Sequence, residues 1–136
     1  MPTDKVRSPK ELVEYFQYLW NSGQYEKLSE TFAPNLVFHH GNAIMSAEQF
    51  LSYAKEIKKA FPDNKIEIED MIIEGNKVAV RYKATGTMTC EFFGMPPTNK
   101  KYSITILEID VVENGKFVES WAVQDTLDYM RQLGLM

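Results

Sequence analysis

The sequence predicts an α+β fold, in which three N-terminal helices pack on a curved antiparallel sheet and a short helix ends the chain. Two patterns in the sequence predict this fold. Apolar residues recur at helical spacing as far as Pro62, and from Lys65 onward they alternate with polar residues as they do on strands. At 136 residues the chain is long enough for one hydrophobic core, so we expect a single domain over residues 1–136.

The predicted helices have recognisable starts. Ser8-Pro9-Lys10-Glu11 forms a capping box with proline at the first helical position, and the helix that follows runs to about Asn21. A second, short helix covers about residues 24–32. Ser46-Ala47-Glu48-Gln49 is another capping box, and its helix ends before Pro62, because proline has no amide hydrogen with which to continue a helix.

A short strand over Leu36–His40 and four strands after Lys65 form the predicted sheet. The parity of the alternation slips near Asp70, as a β-bulge would cause. Asn114-Gly115 predicts a tight hairpin turn, because both central positions of that turn need positive φ. The later strands are expected at residues 78–90, 100–113 and 117–123, and the last helix at residues 126–133.

Composition limits the partners of the chain. A net charge of −4 without a basic stripe argues against nucleic acid and anionic membranes. No apolar run approaches the length of a membrane span, and the single cysteine, Cys90, fits a reducing cytoplasm. The sequence has no glycine-rich phosphate loop and no Cys/His cluster, so we expect neither a cofactor nor a metal ion.

Asp125 is the first candidate for acid/base chemistry. It stands at the end of the last predicted strand, where alternation places it on the same face as Trp121 and Val123. A carboxylate beside apolar surface can have the shifted pKa that a catalytic acid or base requires. Aspartate is also a favoured helix N-cap, and Thr126 begins the next predicted helix. Helix capping is therefore the alternative role.

The order of several short motifs resembles the SnoaL-like polyketide cyclase family of the NTF2-like superfamily. The C-terminal ones are Gly115-Lys116, Val118-Glu119, Trp121, Asp125 and Gln132-Leu133-Gly134. Further upstream are Ala60-Phe61-Pro62-Asp63, Gly86-Thr87, Phe93-Gly94-Met95-Pro96-Pro97-Thr98 and Lys100. Together they cover most of the chain after Ser8.

The resemblance implies an NTF2-like cone with a pocket between the helices and the sheet. It also implies that Asp125 is the general acid/base and that the outer sheet face forms a homodimer. Two departures are evident. A histidine that assists the catalytic aspartate of the cyclases near the position of Asp110 is missing, and Met88 stands where related sequences frequently have a histidine.

His39 and His40 are the only histidines, and at most one of them can face the interior of a strand-based pocket. The resemblance favours His39, which would relay a proton or simply accept a hydrogen bond there.

Asp110 and Glu108 share one face of their strand. Two carboxyl groups in one pocket raise one pKa and suit acid/base work. The alternative, which we favour for this pair, is a solvated position near the end of the strand.

Ligand contacts are expected from residues on the apolar sides of their elements. These are Tyr15, Trp20, Tyr53, Tyr82, Met88, Trp121 and Asp110, with simple core packing as the alternative for Met88.

The leading hypothesis is a cofactor-independent enzyme that performs an aldol-type cyclisation, an isomerisation or a dehydration on an apolar, ring-bearing carbonyl compound. The alternatives are a non-catalytic module that binds a small hydrophobic molecule, and a dimeric structural domain with a fully packed core.

Overall fold

A computed structural model describes residues 6–136, so the first five residues of the predicted domain lie outside the described residues. The helices are α1 (Pro9–Asn21), a 3-10 helix (Tyr25–Thr31), α2 (Ala47–Ala60) and α3 (Thr126–Gln132). The strands are β1 (Phe32–His40), β2 (Ala43–Met45), β3 (Lys65–Glu74), β4 (Lys77–Thr87), β5 (Lys101–Glu113) and β6 (Lys116–Gln124). The order of helices and strands matches the α+β prediction, except that the prediction lacks the short strand β2.

Local signals account for most of the boundaries. Ser8 and Ser46 each accept a hydrogen bond from the amide three residues later, and the side chains of Glu11 and Gln49 bond back to the cap amides, so both predicted capping boxes are confirmed. Asn114 has φ of 52° and Gly115 has φ of 71°, as the hairpin turn requires. The bulge predicted near Asp70 is confirmed by a register shift between Ile68 and Asp70.

The six strands form one sheet in the order β2-β1-β6-β5-β4-β3. The prediction of a wholly antiparallel sheet is wrong at one position, because β1 pairs with β6 in parallel. Most of the chain separates these two strands, and such a long connection allows a parallel pair. Two boundaries also differ from the prediction: β1 begins at Phe32 and β4 ends at Thr87.

The helices cover one face of this curved sheet, which we call the inner face. On β4 the buried residues Val78, Val80, Tyr82 and Ala84 alternate with more exposed ones, which gives the period of a half-buried strand. Aromatic rings from the helices pack above them. Phe50 lies 4.6 Å from Phe38 and 5.5 Å from Phe32, measured between ring centroids. Each buried ring of this kind stabilises the fold by roughly 1.5–3 kcal/mol.

A buried amide connects α1 to the segment after α2. The Oδ1 atom of Asn64 accepts a hydrogen bond of 2.6 Å from the indole Nε1 of Trp20 and one of 3.2 Å from the hydroxyl of Tyr25. Its Nδ2 atom donates to the carbonyl oxygen of Phe61 at 2.8 Å. These bonds satisfy the polar atoms of Asn64 inside the core and fix the orientation of Trp20.

The last helix, α3, closes one end of the structure. Asp125 is its N-cap, and the Oδ1 atom of Asp125 accepts a hydrogen bond of 2.9 Å from the amide of Asp128. Gln132 binds the backbone of Ser103 on β5, with its Oε1 atom accepting at 2.7 Å and its Nε2 atom donating at 3.1 Å. The helix thereby holds Tyr129 against the inner face of the sheet, where its ring is buried.

The cap predicts how substitutions of Asp125 affect stability. Asp125→Ala should lower the free energy of unfolding by roughly 0.5–2 kcal/mol, whereas Asp125→Asn should change it little, because Asn caps a helix about as well as Asp. Urea unfolding monitored by circular dichroism would measure both changes. An equal loss in the two variants would contradict the capping role.

Candidate active site

A cavity of about 90 Å³ lies between the helices and the inner face of the sheet. The helices contribute aromatic walls from Phe16, Trp20, Phe50, Tyr53 and Tyr129. The sheet contributes Phe38, Tyr82 and Tyr102. Small-molecule sites usually measure roughly 300–1,000 Å³, so this cavity fits a compact ligand or one part of a larger ligand.

The register of the sheet places polar groups around Ala122. Ala122 pairs with Glu108 on one side and with His40 on the other, and all three line the cavity. In the next row Ile106 lies between Tyr82 and Gln124, which also line it. Glu108 and His40 therefore flank the small side chain of Ala122 on the cavity wall.

The carboxyl groups of Glu108 and Asp110 form a pair on the inner face of β5. Asp110 is fully buried, and Glu108 lies beside it at the cavity wall. Burial, followed by the neighbouring charge of Asp110, raises the pKa of Glu108 well above its ordinary value. The favoured sequence interpretation, that this pair lies in solvent, is therefore wrong: their strand face is covered by the helices.

Asp110 is the second carboxyl group of the pair. Burial raises the pKa of Asp110, although the nearby carboxyl of Glu108 and hydroxyl of Ser120 favour its ionised form. Neither oxygen of Asp110 has a hydrogen bond of ordinary geometry to another described residue. Two neighbouring carboxyl groups with little access to water cannot both ionise without a large cost, so ionisation of Asp110 favours the protonated form of Glu108.

Tyr82 brings a hydroxyl group to the same wall. Its oxygen is buried and has no hydrogen-bond partner among the described residues. Burial, with the negative charges of Glu108 and Asp110 as further causes, raises the pKa of Tyr82 well above its ordinary value. The phenol therefore remains protonated and able to donate a hydrogen bond.

His40, and not His39, faces the cavity. The imidazole of His40 lies 5.3 Å from the ring of Tyr53, and burial lowers the pKa of His40, which favours a neutral ring. His39 lies on the opposite face, where its Nε2 atom is 2.7 Å from Glu119 and its ring stacks on Trp121 at 4.9 Å. The predicted placement of His39 is wrong, because the parity of β1 turns the ring of His40 inward.

Trp121 and Asp125 lie outside the cavity. Trp121 is on the outer face with 40% of its surface exposed, and Asp125 is exposed at the start of α3. The alternation that groups them is correct, but the face they share is the uncovered one. Ser120, Ala122 and Gln124 are the inward positions of β6, so the predicted placements of Trp121 and Asp125 in the pocket are wrong.

The other predicted ligand residues divide into two groups. Trp20, Tyr53 and Tyr82 lie on the cavity wall, and their contact with a ligand stays a prediction.

Tyr15 is away from the cavity: its hydroxyl donates to Glu30 at 2.9 Å, and the guanidinium of Arg7 lies 3.6 Å from its ring centre. Met88 is a fully buried core residue that does not line the cavity. Asp110 is behind the wall, next to Glu108.

Sequence reasoning missed Gln124 and Asn64 as cavity residues. The signal that could have revealed Gln124 is the run Ser120, Ala122 and Gln124, whose small or polar side chains leave room on one face of β6. No local pattern distinguishes Asn64, because its role depends on Trp20 and Tyr25, which are distant in sequence.

Within residues 6–136, no three His, Cys, Asp or Glu side chains come together in a group that could hold a metal ion. In the same range, none of the helices has the length and apolar character needed to cross a membrane.

Comparisons with known proteins place the chain in a family. It resembles IdmH, a proposed polyketide cyclase from Streptomyces antibioticus, with 31% identity, a TM-score of 0.83 and coverage of 94% of this chain and 99% of that one. It also resembles AclR, a proposed hydroxylase from Streptomyces galilaeus, with 26% identity, a TM-score of 0.86 and coverage of 94% and 96%.

TsrD from Streptomyces laurentii is a further structural neighbour, with 25% identity, a TM-score of 0.81 and coverage of 93% of this chain and 95% of that one. A comparison with curated protein sequences found no match. The family profile described as SnoaL-like polyketide cyclase matches residues 10–133. With this match over most of its length and a fold shared with these neighbours, the chain belongs to the SnoaL-like polyketide cyclase family.

Proposed function

We propose that this chain is a cofactor-independent enzyme that moves protons on a compact, ring-bearing carbonyl compound. The observation that carries the proposal is the Glu108–Asp110 pair, in which Asp110 is fully buried and Glu108 lies at the wall of an aromatic cavity. Family membership supports an enzyme of the cyclase type. Perturbed carboxyl groups in a cavity are typical of groups that exchange protons with a ligand.

The chemistry follows from the proton that the pair retains. The proton on Glu108 can be delivered to a ligand atom, and Asp110 stabilises the carboxyl group as it gives up and regains that proton. In the reverse direction, ionised Glu108 accepts a proton from the carbon next to a carbonyl group. An aldol-type ring closure, an isomerisation and a dehydration each require transfers of this kind.

His40 is a second group that can accept or donate a proton. Its neutral imidazole faces Glu108 across Ala122, so a ligand seated above Ala122 would have a proton carrier on each side. Loss of a proton to one group and gain from the other would complete an isomerisation or dehydration without a metal ion or organic cofactor.

The alternative is a non-catalytic module for a small hydrophobic ligand. The aromatic walls of the cavity support this function equally well, since they would hold a ring without any proton transfer. The two functions differ in one measurable respect: both raise the melting temperature when a ligand binds, but only the enzyme changes the ligand.

We also propose that the outer face of the sheet pairs with a second copy of the chain. Large apolar side chains are exposed there, including Leu107 at 51% and Val123 at 56% of their surface. They line a groove of about 510 Å³ together with Ile109 and Trp121. Exposed apolar patches of this kind usually mark an interaction surface.

The cytoplasmic location and the absence of nucleic-acid partners stay predictions from composition.

Proton exchange at carbon tests the enzymatic function without knowledge of the natural substrate. We expect the wild-type protein to speed the exchange of the methyl protons of acetophenone, or another single-ring ketone, into D2O. The exchange should become faster as the pH rises through the folded-state pKa of Glu108, because only the ionised carboxyl group can accept the proton. Glu108→Gln should slow this exchange by roughly 10²–10⁴-fold, because the amide cannot transfer the proton. Proton NMR would follow the loss of the methyl signal.

The matched control for this measurement is Glu67→Gln, which removes an exposed carboxyl group of β3 and should leave exchange unchanged. Ketones that raise the melting temperature of the wild type but exchange no faster than in buffer would favour the binding module.

The raised pKa values of the pair predict how stability depends on pH. Glu108 holds a proton in the folded state at pH values where the unfolded chain has lost it. The free energy of unfolding should therefore fall as the pH rises from about 4.3, the ordinary pKa of glutamate, through the raised folded-state pKa. Urea titrations of the wild type at several pH values would measure this slope.

Glu108→Gln should flatten this dependence, because glutamine has no proton to lose. Glu67→Gln again provides the control and should keep the slope of the wild type. Identical slopes in all three proteins would show that the carboxyl group of Glu108 titrates alike in the folded and unfolded states.

The outer-face interaction predicts the oligomeric state. Wild-type protein should scatter light as a homodimer at micromolar concentration. Leu107→Glu should give a monomer, because it places a charge in the apolar centre of the interface. Tyr18→Glu changes an exposed aromatic residue on α1, away from this face, and should remain dimeric. A monomeric wild type would contradict the proposal.

A further inference from the structure

The hydroxyl group of Tyr82 is a hydrogen-bond donor at the cavity wall that makes no hydrogen bond to the described residues. Tyr82 is 2% exposed, and its oxygen has no partner among the described residues. Other buried donors in the same core are paired, since Trp20 and Tyr25 both donate to Asn64. A buried donor without a partner costs free energy, so its position on a cavity wall needs an explanation.

The position of Tyr82 relative to Glu108 explains why an unpaired hydroxyl group lies on the cavity wall. Tyr82 pairs with Ile106 across β4 and β5, and Glu108 pairs with Val80, so Tyr82 and Glu108 are diagonal neighbours on the inner face. Long side chains at such positions come within reach of one another. A ligand whose oxygen accepts from the Tyr82 hydroxyl would therefore lie within reach of Glu108.

Charge and shape limit the ligand further. The Glu108–Asp110 pair shares a proton and carries negative charge when Asp110 is ionised, so it disfavours a carboxylate or phosphate in this place. A neutral carbonyl oxygen has only lone pairs to offer and can accept from the phenol. The rings of Phe16, Trp20 and Phe50 enclose the remaining space, which suits a planar apolar ring.

We propose that the Tyr82 hydroxyl binds the carbonyl oxygen of the ligand and that the cavity thereby selects compact ring-bearing ketones over hydrocarbons of the same shape. This inference rests on the ligand class of the proposed function. It adds a residue that sets specificity, and it orients the ligand so that the carbon next to the carbonyl faces Glu108.

Two ligands and one substitution test this inference. Acetophenone and ethylbenzene have similar shapes, but only acetophenone has an oxygen that can accept a hydrogen bond. The wild type should bind acetophenone more tightly. Tyr82→Phe should lower the affinity for acetophenone by roughly 2- to 12-fold, the effect of one neutral hydrogen bond. The affinity for ethylbenzene should stay unchanged. Calorimetric titration of the full chain would measure the four affinities.

The carbonyl stretching frequency provides a direct readout. A hydrogen bond weakens the C=O bond, so acetophenone bound to the wild type should absorb at lower frequency than acetophenone bound to Tyr82→Phe. A purely structural role of Tyr82 would not move this band. An identical band in the two complexes would overturn the inference.

The melting temperature separates folding from binding. Tyr82→Phe should fold with an unchanged or raised melting temperature, because the hydroxyl that it removes has no partner in the protein. Tyr25→Phe is the matched control: it breaks a buried hydrogen bond to Asn64 and should lower the melting temperature, yet it should retain the preference for acetophenone.

The outcomes also separate this inference from the proposed enzymatic function. If Tyr82→Phe selectively weakens acetophenone but the wild type exchanges no methyl protons, the inference stands and the enzymatic proposal fails. If the wild type exchanges protons but Tyr82→Phe leaves the preference for acetophenone unchanged, the inference fails and the enzymatic proposal stands. Failure of the wild type to prefer acetophenone over ethylbenzene would overturn the inference.

Discussion

The parity of β6 decides which side chains occupy each face of the sheet. With Ser120, Ala122 and Gln124 directed inward, the inner face has open space where bulky residues would otherwise fill it. The same parity directs Trp121 and Val123 outward. A slip of one residue would reverse both faces, filling the cavity with an indole ring and exposing the small residues. The cavity and the apolar outer face are therefore two results of one register.

The carboxyl pair lies where the core meets the cavity. Asp110 at a fully buried position, flanked by Val78 and Ser120 on neighbouring strands, breaks the apolar pattern that packing alone would favour. Burial of two carboxyl groups is costly unless a proton is shared between them. Departures from the core pattern of this kind are expected mainly at functional sites, where a fold gives up stability for chemistry.

Local signals in the sequence were sufficient for most of the fold. Capping boxes, the Asn-Gly turn and the parity slip near Asp70 each depend on neighbouring residues and were recognisable without tertiary contacts. Alternation also indicated which residues share a strand face, but it could not indicate which face the helices cover. For this reason Asp125 and Trp121 were grouped correctly and assigned to the wrong side, and His39 was preferred over His40. The parallel pairing of β1 with β6 is a long-range contact that no local pattern specifies.

The site also changes how the resemblance to the cyclases applies to this chain. The family pattern led us to expect an acid at Asp125, yet Asp125 is exposed and uses its carboxylate to cap α3. Inside the cone, burial raises the pKa of two carboxyl groups on β5, those of Glu108 and Asp110. Membership of the family thus fixes the cone and the enclosed space, whereas the proton carriers must be identified from the side chains that face that space. In this chain the groups that face that space, or lie directly behind it, are the carboxyl pair on the strand before the last hairpin turn, the imidazole of His40 and the phenol of Tyr82.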